Sequence, residues 1–175
     1  MKKNIFGTHF KNNVEKNFGV QIMKKIATLL LVLASTFIAS CTTQQATQID
    51  GDIYTGNETI KYLADGVPDR IFFATNKYNI SSKGTETLLK QVNYLKNNLN
   101  LNVSLEGHAD ERGTREYNLA LGEKRANAVK DYFISNGISS ARVNVISYGK
   151  EKPVNPASNA IAWSQNRRTV TVKIN

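Results

Sequence analysis

The strongest constraint on this chain is a repeated switch of hydrophobic period between residues 70 and 174. Ile71, Phe72 and Phe73 make a short apolar run, as in a strand. Leu88, Leu89, Val92, Leu95 and Leu99 then recur at helical spacing, behind Ser81 or Ser82 as a helix cap. Leu101, Val103 and Leu105 alternate with polar residues, which is strand spacing. A second helix is expected over Glu116 to Asn136, with a stripe of Leu119, Gly122, Ala126, Val129 and Phe133 and with Gly137 as its C-terminal cap. Strand spacing returns over Arg142 to Tyr148, a short helix can follow at Ala157 to Trp163, and Val170, Val172 and Ile174 alternate in a last strand. The order β-α-β-α-β-(α)-β predicts an α/β (α+β sandwich) domain over residues 66–175, with helices packed on one face of a small mixed sheet.

The segment before this domain is of another kind. From Met23, Lys24 and Lys25 precede an apolar stretch, Ile26 to Ile38, which ends in Ala39, Ser40 and Cys41. A charged start, an apolar centre and small residues form the pattern of a secretory signal, here too short to span a bilayer as a helix. Ile38-Ala39-Ser40-Cys41 resembles the lipobox of bacterial lipoproteins. The resemblance implies cleavage before Cys41 and lipidation of its thiol and new amino group, which would anchor the chain to outer-membrane lipid through two or more acyl chains. Residues 1–22 then read as an extension upstream of the true start, and 23–40 as the signal. The polar stretch from Cys41 to residue 65 reads as a flexible tether, its roughly 24 residues reaching about 25–30 Å.

This division reinterprets the charge. The formal net charge is +9, but residues 1–40 hold six lysines against Glu15 alone, and +4 remains on the rest, mixed in sign. Such a balance describes a solvated surface and removes most of the support for nucleic acid as a partner.

The densest set of polar residues is GHADERGTREYNLALGEKRA, residues 107–126. His108, Asp110, Glu111 and Arg112 fall on a loop at the end of the second strand, where binding sites commonly form. Asn118, Leu121 or Gly122, and Arg125 recur near one face of the next helix, so Arg125 can stand at the rim of a cleft. Asp110 and Arg125 offer opposite charges to one ligand. A zwitterionic amino-acid end fits them, its ammonium on Asp110 and its carboxylate held by the Arg125 guanidinium. The plainer reading is a salt bridge between Asp110 and Arg125 that ties loop to helix.

The same stretch resembles the signature of the OmpA-like peptidoglycan-binding domains, and especially that family's peptidoglycan-associated lipoproteins. SYGKEKPVNP (147–156), NRRTVTVKI (166–174) and, more loosely, FFATNKYNI (72–80) carry the resemblance over residues 70–174. It implies non-covalent binding of peptidoglycan through the diaminopimelate of the stem peptide, with Asp110 and Arg125 at the matching positions. Arg112, Leu121, Asn118 and the loop with Phe73, Thr75, Asn76 and Tyr78 are placed in the site by the same resemblance. Thr75 and Asn76 depart from it, since an apolar residue and an Asp are expected there. Arg115 stands where Pro often occurs. The further implied partner is the periplasmic β-propeller protein of the Tol system, in a tether between outer membrane and wall.

An enzyme reading has less to stand on. His108 has no second histidine near it in the mature chain, so a zinc site would rest on carboxylates, and no nucleophile-elbow spacing surrounds Ser104 or Ser147. His108 reads as a structural residue that orients the loop. Trp163 reads as a packing residue, with Arg167 and Arg168 at the border of the last strand. No cofactor or metal is implied. The open alternatives are an OmpA-like lipoprotein outside the Tol system and a wall-modifying enzyme on the same scaffold.

Overall fold

The computed structural model describes residues 49–50 and 52–174. The expected signal segment, Cys41 and the first part of the tether lie outside the described residues. Four short strands come first: β1 (Ile49–Asp50) pairs antiparallel with β2 (Ile53–Tyr54), and β3 (Tyr62–Ala64) with β4 (Val67–Pro68). There follow β5 (Arg70–Phe72), α1 (Ser82–Asn97), β6 (Asn102–His108), α2 (Arg115–Ser135), a 3-10 turn (Ser140–Arg142), β7 (Val143–Gly149), α3 (Ala160–Asn166) and β8 (Arg168–Ile174). The main sheet has the order β5-β8-β6-β7. β6 and β7 run parallel, joined by α2 as a crossover, and β8 is antiparallel to β5 and β6. This is the mixed sheet that the alternation of periods predicts.

Local chemistry sets the helix ends. Ser81 caps α1 by accepting from the Gly84 amide (3.1 Å), and Thr114 caps α2 by accepting from Tyr117 (3.2 Å). α2 ends as the sequence predicts. Gly137 has φ +88°, its N–H donates to the Ile134 carbonyl, and the Ile138 N–H donates to Phe133. That pair of bonds is the Schellman arrangement, which needs a left-handed residue after the helix. The end of α1 is closed from a distance, because the Arg142 guanidinium donates to the carbonyls of Leu95, Asn98 and Leu101.

The core lies between the sheet and helices α1 and α2. Ile71, Phe73, Val103, Leu105 and Val143 from the sheet side meet Leu88, Val92, Leu95, Ala126, Val129 and Phe133 from the helices. Two of the leucines assigned to the α1 stripe are outside it: Leu89 is 48% exposed, and Leu99, beyond the helix end, is 73% exposed. On α2 the buried residues shift to include Asn118, Leu121 and Arg125, while Leu119 is half-buried. Among the described residues, no helix is long and apolar enough to cross a membrane.

The expectation of a free tether up to residue 65 does not hold for its described part. Tyr54 is buried and stands edge-on to Phe72, with ring centroids 4.7 Å apart, and Leu63 is buried as well. Two large side chains set in a polar stretch show no period, so only tertiary packing reveals them.

α2 sits on β6 at backbone contact. A Cβ on Gly107 would lie 1.8 Å from the Gly122 carbonyl oxygen, and one on Gly122 would lie 2.4 Å from Ser147 Oγ. This approach brings the first turns of α2 beside the C-terminal end of β6, where the polar loop begins. Because the obstructing atom is backbone, Gly107→Ala is expected to cost about 3 kcal/mol. Urea unfolding of the variant against the parent measures it.

Candidate functional site

The loop after β6 is held in a fixed shape by its own side chains. Asp110 Oδ1 accepts from the Arg112 backbone N–H at 3.1 Å, a local turn of the kind aspartate favours. The Arg112 side chain returns to the same carboxylate, with Nε to Oδ1 at 3.0 Å and Nη2 to Oδ2 at 2.7 Å. Asn118 Nδ2 donates to the Arg112 carbonyl, and Lys150 Nζ to the carbonyls of Glu111 and Gly113. The Arg112 guanidinium stands over the Trp163 ring, 4.3 Å from its centre, and the Trp163 indole N–H donates to Glu111. α3 thus supports the loop.

The facing loop, residues 73–77, turns at Asn76, whose φ of 55° is left-handed, a conformation asparagine accepts more readily than most residues. Two buried arginines fasten it. Arg167 Nε donates to the Phe73 carbonyl at 3.0 Å. Arg125, with no exposed surface, donates to the carbonyls of Ala74 (3.0 Å), Lys77 (2.9 Å) and His108 (2.8 Å).

Between these loops lies an open cleft of ≈ 320 Å³, lined by Thr75, Asn76, Asp110, Arg112, Gly113 and Tyr117. A smaller hollow of ≈ 110 Å³ adjoins it, lined by Asn76, Tyr78, Tyr117, Ala120, Leu121 and Lys124. Of the residues that the sequence places in a site, Thr75, Asn76, Asp110 and Arg112 line the cleft, and Tyr78 and Leu121 the hollow. Phe73, Asn118 and Arg125 stand behind it, as packing and as hydrogen-bond donors to the loops. Asp110 and Arg125 form no direct ion pair. The partners of Asp110 are Arg112 and Arg167, whose Nη1 stands 3.4 Å from Oδ2.

Three residues here escape a reading by sequence. Arg167 stands at the border of β8, as the sequence reads, but it is buried and central to the site. Asp52 reaches in from the N-terminal hairpin: its Oδ1 is 2.8 Å from Arg167 Nη2, and its Oδ2 accepts from the Thr75 N–H. Trp163 supports Arg112. Only the NRR stretch hinted at any of them, because the contacts span up to 115 positions in the chain.

The electrostatics follow from this packing. Burial works against the Asp110 charge, but the Arg112 hydrogen bonds and guanidinium, with Arg167, outweigh it and hold the carboxyl below its ordinary range. Asp52 is likewise lowered, burial being overcome by Thr75, Arg167 and Arg112. Burial, with Arg167 beside it, pushes Arg125 down to about 10, so it stays charged. His108 is on the sheet face away from the helices, against Tyr148. Burial, with Arg168, Arg70 and Lys152 nearby, pushes it down to about 3, so it is a neutral ring near neutral pH. Both its nitrogens lack a hydrogen-bond partner, and the 3.9 Å approach to Glu106 is not an ion pair. Among the described residues, no group of three or more His, Cys, Asp or Glu could hold a metal.

The OmpA family model matches residues 72–167, which contain both loops and the cleft. The chain belongs to the OmpA family. Among its relatives is a peptidoglycan-associated lipoprotein of Rhizobium meliloti (strain 1021), 53% identical over 106 residues, or 61% of this chain and 60% of that protein. The chain therefore matches about three fifths of that relative's length. The peptidoglycan-associated lipoprotein of Pasteurella multocida (strain Pm70) is 36% identical over 152 residues, 85% of this chain and 98% of the relative. The crystal structure of the peptidoglycan-associated lipoprotein from Burkholderia pseudomallei superposes with a TM-score of 0.59 at 37% identity, covering 61% of this chain and 90% of that one. Within the OmpA family, these likenesses place the chain with the peptidoglycan-associated lipoproteins.

Two measurements test this description of the OmpA-family domain. Arg125→Ala strands three carbonyls and is expected to cost about 3–5 kcal/mol in urea unfolding, with Arg125→Lys recovering part of it. His108 has a folded pKa below its unfolded one, so between about pH 6.5 and 3 the unfolded chain binds the proton that the folded one refuses. Stability falls as pH falls through that window. His108 accounts for about 2 kcal/mol between pH 7 and pH 5, a slope that His108→Phe should remove. Asp110 and Asp52 act in the same direction, but only below about pH 4.

Proposed function

We propose that this chain is an outer-membrane lipoprotein whose OmpA-family domain binds peptidoglycan without cleaving it, through the diaminopimelate of the stem peptide. The observation that carries the reading is the cleft itself. An aspartate and an arginine stand side by side at its mouth, with two further guanidinium groups behind them. That arrangement suits a ligand with an ammonium and a carboxylate on one carbon, which is the free end of a diaminopimelate side chain. In this reading Arg112, 43% exposed at its side chain, swings from Asp110 and the ligand's ammonium takes its place. The ligand carboxylate lies toward the arginines, with Arg125 supplying charge from behind the loop, and Asn76, Tyr78, Leu121 and Tyr117 receive the rest of the peptide. The names of the relatives, peptidoglycan-associated lipoproteins, agree with it.

Lipidation of Cys41 would place the domain in the periplasm as a tether between outer membrane and wall. Membership of the Tol system, with its periplasmic β-propeller competing with the wall for this surface, completes the proposal. The residues argue for a binding module rather than an enzyme, because nothing in the cleft is set to make or break a bond.

Co-sedimentation with purified sacculi tests it. The protein should pellet with them and release no stem peptide. Asp110→Asn keeps the shape but removes the charge that holds the ammonium, and should weaken binding about 30- to 100-fold. Full retention by a folded Asp110→Asn variant would overturn the site.

A further inference from the structure

The contacts of the cleft form a closed ring. Arg112 Nη2 reaches Thr75 Oγ1 at 3.3 Å and Asp110 Oδ2 at 2.7 Å. Asp110 Oδ2 faces Arg167 Nη1, and Arg167 Nη2 faces Asp52 Oδ1 at 2.8 Å. Asp52 Oδ2 closes the ring on the Thr75 backbone N–H. Four of its members belong to the domain proper. The fifth, Asp52, comes from the N-terminal hairpin, is half exposed at its side chain, and is joined to this domain by these contacts from more than 20 residues away in sequence.

The geometry points to the Thr75 N–H and the Arg167 guanidinium as a carboxylate subsite of the cleft, with the Asp52 side chain as its resident, displaceable occupant. The inference rests on the reading of the cleft as a site for a zwitterionic amino-acid end. A backbone N–H beside a guanidinium is a donor pair that suits the two oxygens of one carboxylate. Arg167 is almost wholly buried, so it cannot swing out to meet a ligand and must be approached from the side that Asp52 now occupies. Asp52 can leave. Its backbone is held, by the β1–β2 pairing and by the Asp52 carbonyl accepting from Arg167 Nη2, so release needs only rotation of the half-exposed side chain. The depressed pKa of Asp52 agrees with a carboxylate held by donors that any other carboxylate could use.

The consequence is selection. A ligand that brings only an ammonium finds Asp110 but leaves Asp52 in place. A ligand that brings both charges replaces Arg112 on Asp110 and Asp52 on Arg167, so it alone gains the whole site. Asp52 acts as an intramolecular competitor, and it lowers the apparent affinity by the fraction of molecules in which it is bound.

The test uses the full-length protein with Asp52→Asn and Asp52→Ala. The probe is the tripeptide L-Ala-γ-D-Glu-meso-diaminopimelate, titrated calorimetrically, with sacculi in parallel. Both variants are expected to bind the tripeptide about three- to tenfold more tightly than the parent. Hydrogen exchange at the Thr75 amide should be slow in the free parent, faster in free Asp52→Ala, and slow again in that variant with tripeptide. Equal affinity would show that Asp52 does not compete, and weaker affinity would make it part of the grip on the ligand. Either result overturns the inference while leaving wall binding intact. If parent and variants alike fail to bind tripeptide and sacculi, the wall reading falls. Thr75 exchange then decides the Asp52 contact separately: unchanged exchange in Asp52→Ala overturns it, and faster exchange upholds it.

Discussion

A guanidinium without solvent is tolerated in a protein only where oxygen atoms surround it, and Arg125 is where this domain meets that condition. Its three carbonyl partners belong to two loops, the turn at residues 74–77 and the end of β6 at His108, which it ties together alongside Arg167. Taking an arginine out of water costs several kcal/mol, and the three charge-assisted bonds offset this only while both loops keep their places. The cleft is the space that remains between loops fixed in this way. Its walls are set by a charge that the ligand need not touch.

The approach of α2 to β6 makes the arrangement possible. Gly107 against Gly122 lets helix and strand meet at backbone distance, and Arg125 follows Gly122 by less than one turn. With a larger residue at either position the helix would stand off, and the guanidinium would no longer reach the carbonyls. A packing detail in the core is thus continuous with the shape of a surface site.

The parts of this fold that were legible in the sequence are those whose cause is local. Alternation in Leu101–Leu105 and the spacing of Ala126, Val129 and Phe133 report their own burial, and Ser81 and Gly137 terminate helices by bonds within a few residues. The site was legible in part. Asp110 follows from its loop position and charge, Arg112 and the 73–78 loop from the resemblance to a known family, and Asp110 and Arg112 do share one cleft with Thr75 and Asn76. What could not be read is which arginine pairs with which acid. Arg125 looked free because a helical period places it at a rim, whereas its burial depends on two distant loops. Arg167 looked peripheral because its partners, Phe73, Asp110 and Asp52, lie 57 to 115 positions away. Tyr54 was hidden in a polar stretch for the same reason.

The alternation of charge around the ring bears on how such a site can bind at all. A lone buried carboxylate or guanidinium awaiting a ligand would have to be desolvated in advance, at a cost that destabilises the fold. Here every charged group already has a partner, so the domain is stable as it stands. In the proposed function, a zwitterion that enters would exchange one pair for another at each end and change the number of buried charges little. The free energy of such binding would come from the difference between two similar sets of contacts and from the surface covered in the adjoining hollow. A ligand with an ammonium alone would leave Asp52 on Arg167 and gain only one end of the site. On the proposed function, discrimination between the two would follow from the closed circuit of pairs more than from the strength of any single bond.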